Sequence, residues 1–233
     1  MLFRSNRRTL SGRGAGHCPA GHRVTTSADT DAGFMARAID LALGAMGETW
    51  PNPAVGCVIV KDGRVLSEAA TAAGGRPHAE EQAVPAAGPD VMGATAYVTL
   101  EPCGARSSGR RSCAHFLAEA GVTRVVVACL DPSPFAAGRG TERLVQAGLT
   151  VETGLLGDRA LVLAEGFLHR METGRPMVRI SEDGTGFDAR FAASPRADLV
   201  TELQRLGEAG YTRLWTGPGE LAEALREQGL LTA

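Results

Sequence analysis

Arg76-Pro77-His78-Ala79-Glu80, then Thr99-Leu100-Glu101-Pro102-Cys103, then Cys113: around this stretch the rest of the 233-residue chain is organised. One imidazole and two thiols are three good ligands for a tetrahedral zinc, and they leave a fourth position to water. A carboxylate two residues beyond the histidine can stand beside that water without binding the metal. Zinc lowers the pKa of the water towards neutrality, and the carboxylate can carry its protons. The expected zinc ligands are therefore His78, Cys103 and Cys113, with Glu80 as the proton carrier. Taken singly these elements are ordinary, since H-x-E triplets are common and cysteines often serve as small buried residues. The ordered set, with a proline before the first cysteine, points to a zinc enzyme. A structural zinc is normally closed by four protein ligands, and only three are visible here.

H-x-E followed by P-C and a second cysteine is the signature of zinc deaminases. The usual C-x-x-C is replaced by two cysteines with nine residues between them. That long spacing resembles the pyrimidine deaminases of riboflavin biosynthesis, the RibD type. The resemblance extends through Pro51-Asn52-Pro53-Ala54-Val55-Gly56, Ala94 to Cys103, Ala120-Gly121-Val122 with Val125 to Ala128, and Asp131-Pro132-Ser133-Pro134 with Ala137-Gly138-Arg139-Gly140. It continues to Gly166-Phe167 and Thr173-Gly174-Arg175-Pro176, and so covers residues 32–179.

This resemblance implies a cytidine-deaminase-like fold: α/β, a three-layer α/β/α mixed sheet, plus a small α/β remnant of a reductase domain. It implies that Asn52 touches the pyrimidine, an amide able to donate and accept at a base edge. The local alternative for Asn52 is an Asx-turn between two prolines. It also implies that Arg110, after Gly109, contacts a ribose phosphate; Arg106 and Arg111 flank it, and the alternative is a solvated charged loop. Three positions depart from the family pattern. Thr71 replaces a histidine seven residues before His78, Ala105 replaces a histidine in the inter-cysteine loop, and that loop is nine residues rather than eight. They leave the zinc chemistry intact and bear on the substrate.

Composition agrees with a globular enzyme. Apolar residues make up 44% of the chain, and 24 basic against 26 acidic side chains give a net charge of −2, with no electrostatic footprint for nucleic acid. Five cysteines at irregular spacing do not form a disulfide framework. Metal-binding thiols suit a reducing cytoplasm. No apolar run reaches the length of a membrane span. The expected partner is a small heterocyclic substrate, and the expected assembly a homo-oligomer.

Residues 1–30 carry five arginines and no acid before Asp29, with no apolar periodicity. They read as a disordered tail or an upstream misplaced start, and alternatively as an organelle transit peptide. Cys18 beside His17 and His22 reads as incidental.

Residues 31–175 read as the zinc deaminase domain. Helix is expected over 32–46, strands over 55–60 and 65–69 around an Asp62-Gly63 turn, and a helix opening at His78 and stopping by Gly88-Pro89. A strand over 96–100, a helix begun by Cys113 and closed at Gly121, a strand over 125–129, a helix over 141–147, a strand over 149–153 and a helix over 158–173 follow. Residues 176–233 read as the reductase remnant: a strand at 178–180, a helix over 199–206, a strand over 212–216 and a helix ending near Leu230. Its Gly217-Pro218-Gly219 lacks the full dinucleotide-binding fingerprint, and proline removes one N–H that a phosphate loop would offer.

The functional expectation is hydrolytic deamination of a phosphorylated aminopyrimidine. The alternatives are deamination of another heterocycle in a specialised-metabolite pathway, and a catalytically silent zinc-stabilised scaffold. Retention of Glu80 speaks against the scaffold, which has no use for that acid.

Overall fold

A computed structural model describes residues 30–105, 111–131 and 138–232. The first sheet has five strands, β1 (Gly56–Lys61), β2 (Arg64–Ala70), β3 (Thr95–Leu100), β4 (Arg124–Cys129) and β5 (Thr150–Thr153), in the order β2-β1-β3-β4-β5. β1 runs antiparallel to β2 and β3, whereas β3, β4 and β5 are parallel. The sheet is thus mixed. The β1–β2 hairpin closes on Asp62 and Gly63, both at positive φ, as a tight turn of this kind requires.

Alternation along the strands sorts their side chains into two cores. Cys57, Ile59, Ala96, Val98, Val125 and Val127 face one way, against α2 (Ala79–Ala87), α3 (Cys113–Glu119) and α4 (Arg139–Gln146). Val58, Val60, Tyr97, Val126 and Ala128 face the other, against α1 (Asp31–Ala45) and α5 (Gly157–Thr173). This is the three-layer α/β/α arrangement expected, and it explains why β1 and β4 read as unbroken apolar runs: both of their faces are covered. Gly56 has a packing reason. A Cβ there would stand 1.9 Å from the Ala38 carbonyl oxygen, so α1 can cross the start of β1 only over a glycine.

A second, all-parallel sheet of three strands follows: β6 (Met177–Ile180), β7 (Ala189–Arg190) and β8 (Arg213–Thr216), in the order β6-β8-β7. With α6 (Leu199–Glu208) and α7 (Glu220–Glu227) it encloses its own core of Val178, Phe191, Leu199, Leu203, Leu214 and Leu225. β7 is absent from the sequence reading, because two residues carry no periodicity. α7 ends at Glu227 rather than near Leu230. Gly229 takes a left-handed φ of 65°, and the Gly229 and Leu230 amides return to the Arg226 and Leu225 carbonyls. Residues 1–29, with Cys18, His17 and His22, lie outside the described residues.

Candidate active site

Strand ends and helix starts meet at one edge of the five-stranded sheet. His78 is the N-cap of α2, and its backbone amide donates to Glu81 Oε2 at 2.8 Å. Cys113 is the first residue of α3, whose N-cap Ser112 accepts from the His115 amide at 3.3 Å. Cys103 lies three residues past β3. The backbone amide of Cys113 donates to Cys103 Sγ at 3.3 Å, and that of Ala114 to the Cys103 carbonyl at 3.3 Å. Amides at a helix start favour negative sulfur, the form a metal needs.

The ring nitrogen and both sulfurs, one atom from each of His78, Cys103 and Cys113, lie within 4.8 Å of one another. His78 Nδ1 is 3.3 Å from Cys113 Sγ. Two tetrahedral ligands at zinc's usual N and S distances stand about 3.6 Å apart, so the pair is spaced as co-ligands are. His78 Nε2 is buried with no hydrogen-bond partner. Coordination through Nδ1 would leave the ring proton on Nε2. The donor set of one nitrogen and two sulfurs suits zinc.

Glu80 follows on the first turn of α2 and is 3% exposed. Burial pushes its carboxyl above the usual range, the His78 charge works against that, and Cys103 adds to the rise. It lines a cavity with His78, Cys103, Asn52, Thr71, Arg76 and Phe167, among others. Cys57 is fully buried in the core behind the site, and burial pushes its thiol well up, which leaves it an inert packing residue.

Asn52 lines the cavity, but its amide does not close a local turn. Asn52 Nδ2 donates to the Gly75 carbonyl at 2.8 Å, and the turn is closed instead by the Asn52 backbone amide, which donates to the Thr49 carbonyl at 3.1 Å, with Thr49 Oγ1 donating to the Asn52 carbonyl at 3.1 Å. Thr71 Oγ1 accepts from the Val55 amide at 3.1 Å and donates to the Val55 carbonyl at 3.4 Å, so its hydroxyl is committed to backbone. Arg110 and Arg106 lie outside the described residues. Arg111 pairs with Glu119 of α3 at 2.7 Å, on an exposed face.

Three contributors to the site escaped the sequence reading. Phe167 reaches it from α5, more than fifty residues beyond Cys113, and its place in the resemblance carries no site role. Arg76 precedes the motif without a role assigned. Glu101 is buried, and its two oxygens accept from the amides of Asp131 (3.3 Å), Gly138 (3.1 Å) and Thr141 (2.9 Å) and from Thr141 Oγ1 (3.2 Å). It ties the chain carrying Cys103 to the start of α4. A signal was available, since an acid beside a proline at the end of an apolar strand has to find donors.

A family model described as the cytidine and deoxycytidylate deaminase zinc-binding region matches residues 28–129, which include the whole motif. The diaminohydroxyphosphoribosylamino-pyrimidine deaminase of Buchnera aphidicola is 41% identical over 143 residues, 61% of this chain and 97% of that protein. The chain belongs to this deaminase family. The riboflavin biosynthesis protein RibD of Escherichia coli is 47% identical to this chain over 173 residues, 73% of this chain but 46% of that protein. The chain therefore spans less than half the length of that relative. A solved structure of Acinetobacter baumannii RibD is similar to it with a TM-score of 0.73 and 29% identity, covering 86% of this chain and 84% of that one. The chain's cofactor is zinc. Among its described residues, no helix is long and apolar enough to cross a membrane.

Proposed function

We propose that the chain hydrolytically deaminates a phosphorylated aminopyrimidine, the diaminohydroxyphosphoribosylaminopyrimidine for which its relatives are named, in riboflavin biosynthesis. The observation that carries this reading is the buried Glu80 carboxyl on the same helical turn as His78, with both on one cavity wall. His78, Cys103 and Cys113 would hold zinc. When bound, the metal supplies a Lewis acid that brings the pKa of a water down towards neutrality.

Everything else falls to the chain's own residues. The reaction exchanges the ring amine for oxygen, C–NH2 plus water giving C=O plus ammonia. Glu80 takes the proton that the attacking water gives up, passes it to the ring nitrogen, and then delivers a proton to the departing amine. Low exposure suits it to this work, since burial raises its carboxyl above the usual range and so eases both the uptake and the return of a proton. Asn52 Nδ2 is held by the Gly75 carbonyl, which orients the amide so that its remaining hydrogen-bonding capacity can read a base edge. Arg110 would take the phosphate.

Residues 31–175 form the deaminase unit in this reading, and 176–233 a reductase remnant. The chain works as a homo-oligomer in the cytoplasm. Four unbridged cysteines among the described residues support a reducing compartment.

A second reading, deamination of a different heterocycle, is favoured by one observation. Thr71 turns its hydroxyl to the Val55 backbone rather than offering a polar group to the cavity. Ammonia release separates the two. Zinc-loaded protein should turn over the phosphorylated compound with higher kcat/KM than its dephosphorylated analogue, and Arg110→Ala should cost about one to two orders of magnitude on the former alone, chiefly in KM. Preference for the unphosphorylated compound would move the assignment to the second reading.

A further inference from the structure

Two walls of the cavity are backed by the C-terminal sheet. The first carries Asn52. Just before it, Trp50 stacks on Tyr211 with ring centroids 4.3 Å apart and planes 21° from parallel. Gly210 packs so closely on this segment that an added Cβ would lie 3.0 Å from Pro51 Cβ. Arg170 joins the same segment to the same unit, with Nη2 donating to the Pro51 carbonyl at 3.3 Å and Nη1 to the Gly207 carbonyl at 3.1 Å.

Inside, the segment is locked to the loop that delivers the motif. The Gly74 amide donates to the Glu48 carbonyl at 2.8 Å, and Asn52 Nδ2 to the Gly75 carbonyl. Arg76 and His78 come next in the chain. The second wall carries Phe167. Its neighbour Gly166 meets Arg213 of β8 so tightly that a Cβ would stand 2.3 Å from Arg213 Cγ, and Arg213 Nη1 donates to the Val162 carbonyl at 3.0 Å and to Glu165 at 2.9 Å.

We propose that the C-terminal unit positions the substrate pocket from behind: Tyr211, through Trp50, holds the wall bearing Asn52, and Arg213, through Gly166, holds the wall bearing Phe167. Tyr211 and Arg213 are positioning residues and touch no substrate. Aromatic stacking and close backbone contact are short-ranged and rigid, so a shift at Tyr211 is transmitted to Asn52 within two residues of chain. The unit then contributes to catalysis in this chain whatever its ancestry. The inference rests on the reading of this cavity as the substrate site.

The test uses zinc-loaded full-length protein and two readouts. Hydrogen exchange reports the amides of Asn52 and Gly74, and ammonia release from the phosphorylated aminopyrimidine reports kcat and KM. Tyr211→Ala should raise exchange at those amides about tenfold and raise KM about three- to tenfold with kcat little changed. Tyr211→Phe, which keeps the ring face, should restore both. Should Tyr211→Ala not fold, Tyr211→Leu fills the volume without the ring face and gives the same comparison. Leu221→Ala, in the same C-terminal core but away from Trp50, is the control. If it opens the Asn52 and Gly74 amides as much as Tyr211→Ala at a matched loss of Tm, or if Tyr211→Ala leaves them protected, the proposal is overturned. Absence of ammonia release from the wild type would count against the proposed substrate, while the exchange comparison would still decide the positioning role.

Discussion

Cys103 reaches the metal position from the end of a strand, whereas His78 and Cys113 reach it from helix starts, and the three serve different ends if altered. Cys103→Ser replaces a soft thiolate with a hydroxyl that stays protonated at neutral pH, so the variant should bind zinc more than about tenfold more weakly. Metal analysis after purification checks this, and wild-type occupancy would remove Cys103 from the ligand set. Glu80→Gln should instead keep zinc and fold but lose about 10²–10⁴ in turnover, since an amide neither accepts nor returns the proton. Near-normal ammonia release would exclude the assigned role. The gathering of these four residues was legible in the sequence because the chain itself spaces them: the histidine and its acid share a helical turn, Cys113 opens a helix, and Cys103 follows a strand by three residues. Phe167 and Tyr211 were not legible. Their relation to the site exists only after α5 and β8 have packed, and an aromatic side chain in an apolar stretch reads as core.

Elements were readable where their pattern is periodic or punctuated. β1 and β4 announce themselves as β-branched runs, and Asp62-Gly63 fixes the hairpin between β1 and β2. A boundary was displaced where a local cap closes a helix short of the end of its apolar run, as at α7, whose end is set by Gly229 rather than by its apolar residues. The first turn of α1 also has a tertiary anchor that no local pattern reveals. Asp31 accepts from Arg124 Nη2 at 2.6 Å and from the Tyr97 hydroxyl at 2.5 Å, and thereby ties the helix to β3 and β4. Arg124, first, and Tyr97 hold the Asp31 carboxyl below its usual range. A carboxylate with a depressed folded pKa stabilises above its unfolded pKa and loses that contribution as the pH falls through the folded one. Asp31 is about half exposed, so the contribution is screened. Asp31→Asn should therefore cost no more than about 1 kcal/mol at pH 7 in low salt, and the gap to wild type should close as the pH is lowered below the carboxyl's folded pKa. Urea titrations at pH 7 and at successively lower pH would measure it, and a gap that does not narrow with acid would mean that the carboxylate charge is not what matters.

At the scale of the whole molecule, two sheets have separate cores, the smaller one packs behind the walls of the site, and it is short of what a dinucleotide needs. β6, β7 and β8 comprise four, two and four residues. Dinucleotide sites of open parallel sheets lie across the carboxyl ends of strands, with successive backbone amides at a helix start cradling the phosphates. A cavity does lie at the corresponding place, between Arg190, Ser194 and the Gly217-Pro218-Gly219 turn before α7. Pro218 has no N–H to give, Gly219 is the N-cap at a positive φ of 139°, and the Arg190 guanidinium lies over the Trp215 ring with its centre 5.3 Å from the ring centroid. The turn therefore lacks one donor of a phosphate cradle, and its nearby cation already has an aromatic partner. No strand beyond β7 supplies a floor for a nicotinamide ring among the described residues. The 233-residue chain should accordingly show no saturable NADPH binding by calorimetry at millimolar nucleotide and no NADPH oxidation with the deaminated product. Binding with micromolar affinity would mean that the three-stranded sheet retains a working nucleotide site, and the C-terminal unit would then have to be read as a second active centre rather than as the support of the first.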